Sequence, residues 1–257
     1  MTEASAPPMY VCRRVGNGFY KRLDGRVQDS AWDSAAWTDD FVDIRGADVP
    51  GVPPPRFRTR AKMVWDDTYF YVGLQMEEPQ LWATLTSRNS IIYRDNDIEV
   101  FIDPDGDALN YYEFEINALG TIMELTMDRP YCEGGNYTFI ETDVLAKVYV
   151  HGTINDPTQM PNQGWSVELA FPFATLARYD QRKRASGSPN PRPTAGDEWR
   201  VNFSRVQWHL DYNNGRREYV KRPNTTEDNW VWAPTGKIDV HLPHHWGHVV
   251  FADDLLP

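Results

Sequence analysis

Apolar and polar positions alternate with a period of two along much of the chain, the pattern of half-buried β-strands. It is clearest over Tyr93 to Leu125, YRDNDIEVFIDPDGDALNYYEFEINALGTIMEL. Ile98, Val100 and Ile102 alternate there with Asp97, Glu99 and Phe101, and Phe114 and Ile116 alternate with Glu113, Glu115 and Asn117. The spacing predicts two strands closed by an aspartate-rich turn, with one apolar face and one carboxylate face. Like charges opposite one another on paired strands repel. Such a row therefore calls for a metal ion, a basic side chain from a neighbouring strand, or a hydroxyl-rich ligand.

The same period predicts a hairpin from Ala61 to Trp65 and Tyr69 to Met76, turned by Asp66-Asp67-Thr68. Further strands are expected over Val144 to Gly152, Trp165 to Phe171, Trp199 to Trp208 and Gly247 to Phe251. Helical spacing is confined to Ser30 to Trp37 and Phe173 to Tyr179, the second starting next to a proline. Many short strands without helical crossovers predict an all-β fold, an antiparallel β-sandwich. Residues 1–22 are read as an N-terminal extension with a first strand, and 23–257 as a single domain. A Pro, Ser, Gly and Arg-rich mobile insert loop is expected near 180–198, and a second proline-laden loop over 46–55.

Composition narrows the partners. The 257 residues carry 37 acidic against 26 basic side chains, a net charge of -11, which argues against nucleic acid. No run of eighteen apolar residues exists, so no membrane span is expected. The opening MTEASAPPMYVCRRV lacks the apolar core of a secretory signal, so a cytoplasmic location is expected unless a leader was removed. Cys12 and Cys132 are too few for a disulfide framework, though one bridge stays open, and the sequons at Asn136, Asn202 and Asn224 would matter only after secretion.

Five segments taken in order, LDGRVQDSAWDSAAW, KMVWDDTYFYVGLQMEEP, DNDIEVFIDPDGD with YYEFEINALG, GWSVELAFPF and GDEWRVNFSRVQW, resemble the family 9 carbohydrate-binding modules. The likeness spans Leu23 to Phe251. It implies a jelly-roll-like sandwich, bound calcium, and a cleft where two aromatic rings clamp a mono- or disaccharide. In that alignment Glu99 stands where the family glutamate accepts from sugar hydroxyls, and Tyr93 stands near the first clamp ring, a tryptophan in the family. Trp230 and Trp232, in DNWVWAP, are the candidates for the second ring. One departure is chemical: Glu115 stands two residues before Asn117 where the family has arginine, and a carboxylate can only accept where a guanidinium donates.

The residues themselves support a polyol site, because a saccharide packs its C–H faces on rings and offers hydroxyls to carboxylates and amides. Glu99, Glu115, Asn117, Asn202 and Arg205 are the expected hydroxyl partners, with Tyr93, Trp208 and Trp230 or Trp232 as rings, and Trp82 as a weaker one. The other tryptophans read as core. Asp103, Asp105 and Asp107, around Gly106, have the alternating oxygens of a calcium loop, although an Asp-Gly turn is also an ordinary hairpin device. Asp128 and Glu133 could join a separate ion. His241, His244, His245 and His248 invite zinc but lack its usual spacing. The rival reading is an enzyme using Glu99, Glu113, Glu115 and Glu124 as paired acid and base on a glycoside or another small molecule, while no nucleophile or nucleotide motif is present. A third is a calcium-stabilised module that binds another protein.

Overall fold

A computed structural model describes residues 6–159, 161–187, 191–213 and 215–256. Its strands are β1 (Met9–Arg14), β2 (Val42–Asp43), β3 (Thr59–Trp65), β4 (Tyr69–Glu77), β5 (Asp97–Asp103), β6 (Tyr111–Asn117), β7 (Ile122–Met127) and β8 (Tyr137–Phe139). They continue as β9 (Leu145–His151), β10 (Gly164–Pro172), β11 (Glu198–Gln207), β12 (Leu210–Asn213), β13 (Glu218–Lys221), β14 (Asp228–Val231) and β15 (Gly247–Leu255). Three short helices, α1 (Ser30–Ser34), α2 (Phe173–Leu176) and α3 (Gln181–Ser186), join them.

Hydrogen bonding follows the order β8-β7-β6-β5-β11-β15-β1-β3-β4-β10-β9, with β14 on β11 and β2 on β14. The pairs are antiparallel except those of β1, which runs parallel to both β15 and β3 and so closes the two arms of the sandwich. The arms pack face to face as the alternation demands. Ile98, Val100, Ile102, Tyr112, Phe114 and Ile116 meet Val72, Leu74, Val167, Leu169 and Phe171 in one core. Phe171 is wedged between Tyr112 and Phe114, with ring centroids 5.9 and 5.5 Å away. Burying such side chains supplies about 1.5–3 kcal/mol each before entropy is charged.

The outer faces of the two arms differ, and this difference places the site. On the β3-β4-β10 arm the N-terminal segment covers the sheet: Trp32 packs with Phe19, Val27, Tyr71 and Ala170, and its Nε1 donates to Glu168 Oε1 at 2.6 Å. The β5-β6-β7 arm is covered differently. Phe101, Tyr111, Met123, Leu125 and Met127 form a smaller cluster with Ile92 and Trp246, beside the carboxylates.

Several elements depart from the sequence reading. The stretch read as two strands contains a third, β7, because Asn117 Oδ1 accepts from Leu119 N and Thr121 N and reverses the chain after β6. The loop expected over 180–198 contains α3, started by Asp180, whose side chain accepts from Lys183 N, and stopped by Gly187 at φ 62°. Residues 188–190 of that expected loop lie outside the described ones. Cys12 is buried, Cys132 is exposed, and both are free thiols. Among the described residues no helix is long and apolar enough to cross a membrane.

Candidate functional site

The pleat gathers the acids. Glu99 lies opposite Glu115, Phe101 opposite Glu113 and Asp97 opposite Asn117, so the polar positions of β5 and β6 project together from the outer face. Asp97 is 1 %, Glu99 6 %, Glu113 4 % and Glu115 2 % exposed, so all four carboxyl groups are largely withdrawn from water. One oxygen from each of Asp97, Glu99 and Glu115 lies within 4.8 Å of the other two. Backbone donors are few: Tyr93 N reaches Glu115 Oε2 at 3.1 Å and Val206 N reaches Asp97 Oδ1 at 3.4 Å. Asp97 Oδ2 and Glu113 Oε2 have no hydrogen-bond partner.

Desolvation dominates the electrostatics. It pushes Glu99 up to about 7, and with the nearby Glu99 charge it pushes Glu113 up to about 8. Asp97 and Glu115 are raised well above the usual carboxylate range by burial and by their acidic neighbours. His241 Nε2 stands 3.8 Å from Glu113 Oε2, but burial lowers its pKa to about 4, so near neutral pH it brings no positive charge.

Glu99, Glu113 and Glu115 floor a cleft of about 320 Å³ whose walls include Tyr93, Tyr131, Tyr137 and Phe139. That volume falls within the roughly 300–1,000 Å³ of small-molecule sites. These four rings are 39 to 48 % exposed, unlike the core aromatics. Register explains two of them: β7 sets Leu125 beside Glu113, and β8 sets Phe139 beside Leu125 and Tyr137 beside Met127. Tyr131 meets His241 edge-on at 4.6 Å, and Tyr111 OH lies 3.0 Å from His241 Nδ1. A second lobe of about 340 Å³ shares Tyr93, Glu99, Val240 and His241 and runs toward Asn229 and Asp239. Two larger hollows, beside β1 and between the β6–β7 turn and β9, contain none of the four acids.

Of the expected ligand residues, Tyr93, Glu99 and Glu115 meet in the cleft, and Trp208 backs it by donating Nε1 to Tyr93 O at 2.9 Å while Lys221 Nζ sits 3.2 Å from its ring centroid. The others are corrected by their surroundings. Trp230 and Trp232 belong to the core, packed on Phe57 and Phe203, and neither lines this cleft, although Trp232 edges the hollow beside β1. Gly247 is what admits Trp232, since a Cβ there would meet the ring at 2.4 Å. Arg205 points to the inner side of β11, 1 % exposed, bonded to Thr59, Gln207, Glu78 and the Glu77 carbonyl. Asn202 is spent on the Ala233 and Phe203 backbone, and Asn117 on Leu85, Asp95 and its own turn. Trp82 packs with Leu210 and Tyr219.

Of the four acids considered for acid–base chemistry, Glu124 is on the opposite face, held by Arg88, Tyr112 and Thr142. Tyr131, Tyr137 and Phe139 are not singled out by the sequence, and His241 is singled out there only as a zinc candidate. The Tyr137-Thr138-Phe139 alternation was the available signal, and three residues are too short a run for a strand reading to rest on. The histidine group does not converge: His241 lines the cleft, whereas His248 pairs with Glu198.

In the aspartate loop, Asp103 accepts from Gly106 N and Ala108 N, both at 2.9 Å, Asp105 Oδ2 from Gln181 N at 2.7 Å, and Asp107 Oδ1 from Leu109 N at 2.8 Å. Asp105 Oδ1 is buried without a partner, and one oxygen from each aspartate lies within 4.8 Å of the others. This donor set fits a hard cation.

The raised carboxyls make a pH prediction. A group whose folded pKa lies above its unfolded value stabilises the fold at low pH and loses that contribution as pH climbs through the folded value. In EGTA, Tm is therefore expected to fall between about pH 5 and pH 8, the window set by Glu99 and Glu113, and the fall should shrink in Glu113→Gln. A Tm that rises across this window in wild type, measured by scanning calorimetry, would contradict the burial argument.

The carbohydrate family 9 binding domain-like family matches residues 23–232. The chain belongs to this family. Solved structures share its fold. A protein of Bacteroides uniformis proposed to bind carbohydrate is 15 % identical, with TM-score 0.63 over 96 % of this chain and 100 % of its own. A carbohydrate-binding module of family 9 from Caldicellulosiruptor kristjanssonii in complex with cellotriose has TM-score 0.56 at 15 % identity, covering 96 % of this chain and 94 % of the other. A structure of such a module from the same organism with glucose has TM-score 0.55 at 16 % identity, covering 95 % of each. No curated protein matches the chain.

Proposed function

We propose that this family 9 domain binds a neutral saccharide, or a similar polyol, in the cleft floored by Glu99, Glu113 and Glu115 and walled by Tyr93, Tyr131, Tyr137 and Phe139. The observation that carries the reading is the juxtaposition of half-exposed rings with buried acceptor oxygens in one hollow. Rings take the C–H faces of a sugar, and carboxylates take its hydroxyl protons. The relatives solved with cellotriose and glucose support that ligand class. Glu115 in place of the family arginine makes the floor an acceptor surface, which suits a ligand presenting O–H donors. Calorimetric titration with glucose and cellotriose tests the reading: saturable binding that Tyr93→Ala weakens supports it, and no heat from any member of an oligosaccharide panel overturns it.

Calcium belongs to the same proposal. Asp103, Asp105 and Asp107 would hold the ion at the β5–β6 turn, where it would supply charge balance for three crowded carboxylates and fix the hairpin beside the cleft. A ligand that binds only the folded state stabilises it by about 2.7 kcal/mol at a concentration of a hundred times Kd. Tm is thus expected to rise when calcium is added to EGTA-treated protein, and Asp105→Asn with Asp107→Asn should reduce the rise. An identical rise in that double variant would remove the loop as a calcium site.

A further inference from the structure

Several other buried acids are matched by donors. Glu168 accepts from Asp24 N, Gly25 N and Trp32 Nε1, and Asp95 from Thr84, Leu85 and Asn117. Glu78 faces Arg205 and Asn96, and Glu124 faces Arg88, Tyr112 and Thr142. The group around the cleft floor is less fully matched: Glu115 and Asp97 each accept one backbone N–H, from Tyr93 and Val206. Among the described residues no ion pair reaches Asp97, Glu99 or Glu115. Asp97 Oδ2 and Glu113 Oε2 have no partner although their side chains are almost wholly buried. A buried carboxylate without a cation beside it is costly, and it takes up a proton instead until a cation is supplied.

The spacing says what would relieve this. Oxygens of Asp97, Glu99 and Glu115 lie within 4.8 Å of one another, and ligands on opposite sides of a calcium ion, each bonded at about 2.4 Å, are separated by about that distance. Oxygen-only donors of full negative charge are the preference of a hard cation, and the set has no thiolate or imidazole to favour zinc or copper. Glu99 and Glu115 are cross-strand partners, so a divalent charge between them would turn a repulsive pair into a bridged one. We infer that Asp97, together with Glu99 and Glu115 of the cleft floor, forms a site for a hard divalent cation of the calcium class, separate from the aspartate loop. The cation would leave positions for oxygens from the cleft, because calcium takes about six to eight ligands. The inference does not require the saccharide reading, since the ion can be titrated without sugar.

The test is a calorimetric titration of calcium chloride alone into the full chain stripped with EGTA. The Asp105→Asn/Asp107→Asn variant removes the loop's contribution, and in that background calcium binding is expected to persist. Adding Asp97→Asn should then weaken it by roughly tenfold or more, since ligand charge sets calcium affinity, and Glu115→Gln should do the same. In calcium-free buffer Asp97→Asn is expected to keep or raise Tm, because an amide of the same shape replaces a buried carboxyl with an unpartnered oxygen among other acids, so lost binding cannot be ascribed to unfolding. The inference is overturned if the loop variant remains folded and binds no calcium, or if Asp97→Asn and Glu115→Gln bind it as tightly as their parent. Absence of sugar binding in a separate titration would count against the saccharide reading and leave this result untouched.

Discussion

Trp230→Ala is expected to destabilise the protein by about 3–5 kcal/mol, the range for emptying a large aromatic site in a core. Trp230 is buried on the inner side of β14, with Phe57 edge-on at 6.2 Å and the Arg205 guanidinium 5.2 Å from its ring centroid. The guanidinium is held there by its 3.0 Å contact to Glu78 Oε2. Removing the ring opens a void beside this ion pair as well as forfeiting apolar burial. Arg205→Ala should cost a similar amount, about 3–5 kcal/mol, because Glu78 would keep a buried charge with no cation opposite. Urea denaturation measures both. A Trp230→Ala protein with wild-type stability and abolished sugar retention would return that ring to the binding site and overturn the placement argued above.

The second large effect runs the other way. Replacing Tyr93, Tyr137 and Phe139 together by Ala is expected to abolish measurable saccharide binding while moving Tm little. Each ring contributes about 0.5–1.5 kcal/mol beyond its area, and at about 1.4 kcal/mol per tenfold the three together are worth roughly tenfold to a thousandfold, before the lost contact area is added. The stability cost is small because each ring is already 39 to 48 % exposed, so truncation leaves solvent rather than a cavity. Single replacements should give graded losses. A variant that unfolds with the loss would show that the rings serve the core, and unchanged affinity would show that the sugar sits elsewhere.

The carboxylate face was legible because a strand's side-chain period is strictly two: once Ile98, Val100 and Ile102 are inside, Asp97 and Glu99 must be outside. The arrangement of the sandwich and the hairpin around Asp66 were legible for the same reason. Burial of an individual ring was not. DNWVWAP looks like an exposed loop until β14 is seen to pair with β11 on one side and β2 on the other, a contact between residues far apart in sequence. Asn117 and Asn202 look like free amides, yet each closes a local backbone gap, a job set by the turn after β6 and by the Ala233 backbone. Tyr137 and Phe139 enter the site only through their register with β7, and His241 only through the return of a late segment across Tyr111. Local alternation thus identified the floor, while the walls come from non-local pairing that no short window contains.

Chemical-shift mapping with cellotriose is the most direct check on the central claim that the β5–β6 acids and the exposed rings form one saccharide site. In calcium-containing buffer the perturbed amides are expected to cluster at Tyr93, Glu99, Glu113, Glu115, Tyr131, Tyr137, Phe139 and His241, with Trp230, Trp232 and the β3-β4-β10 face unmoved. Saturable perturbations centred on Trp230 and Trp232, on either larger hollow, or nowhere at all would contradict it.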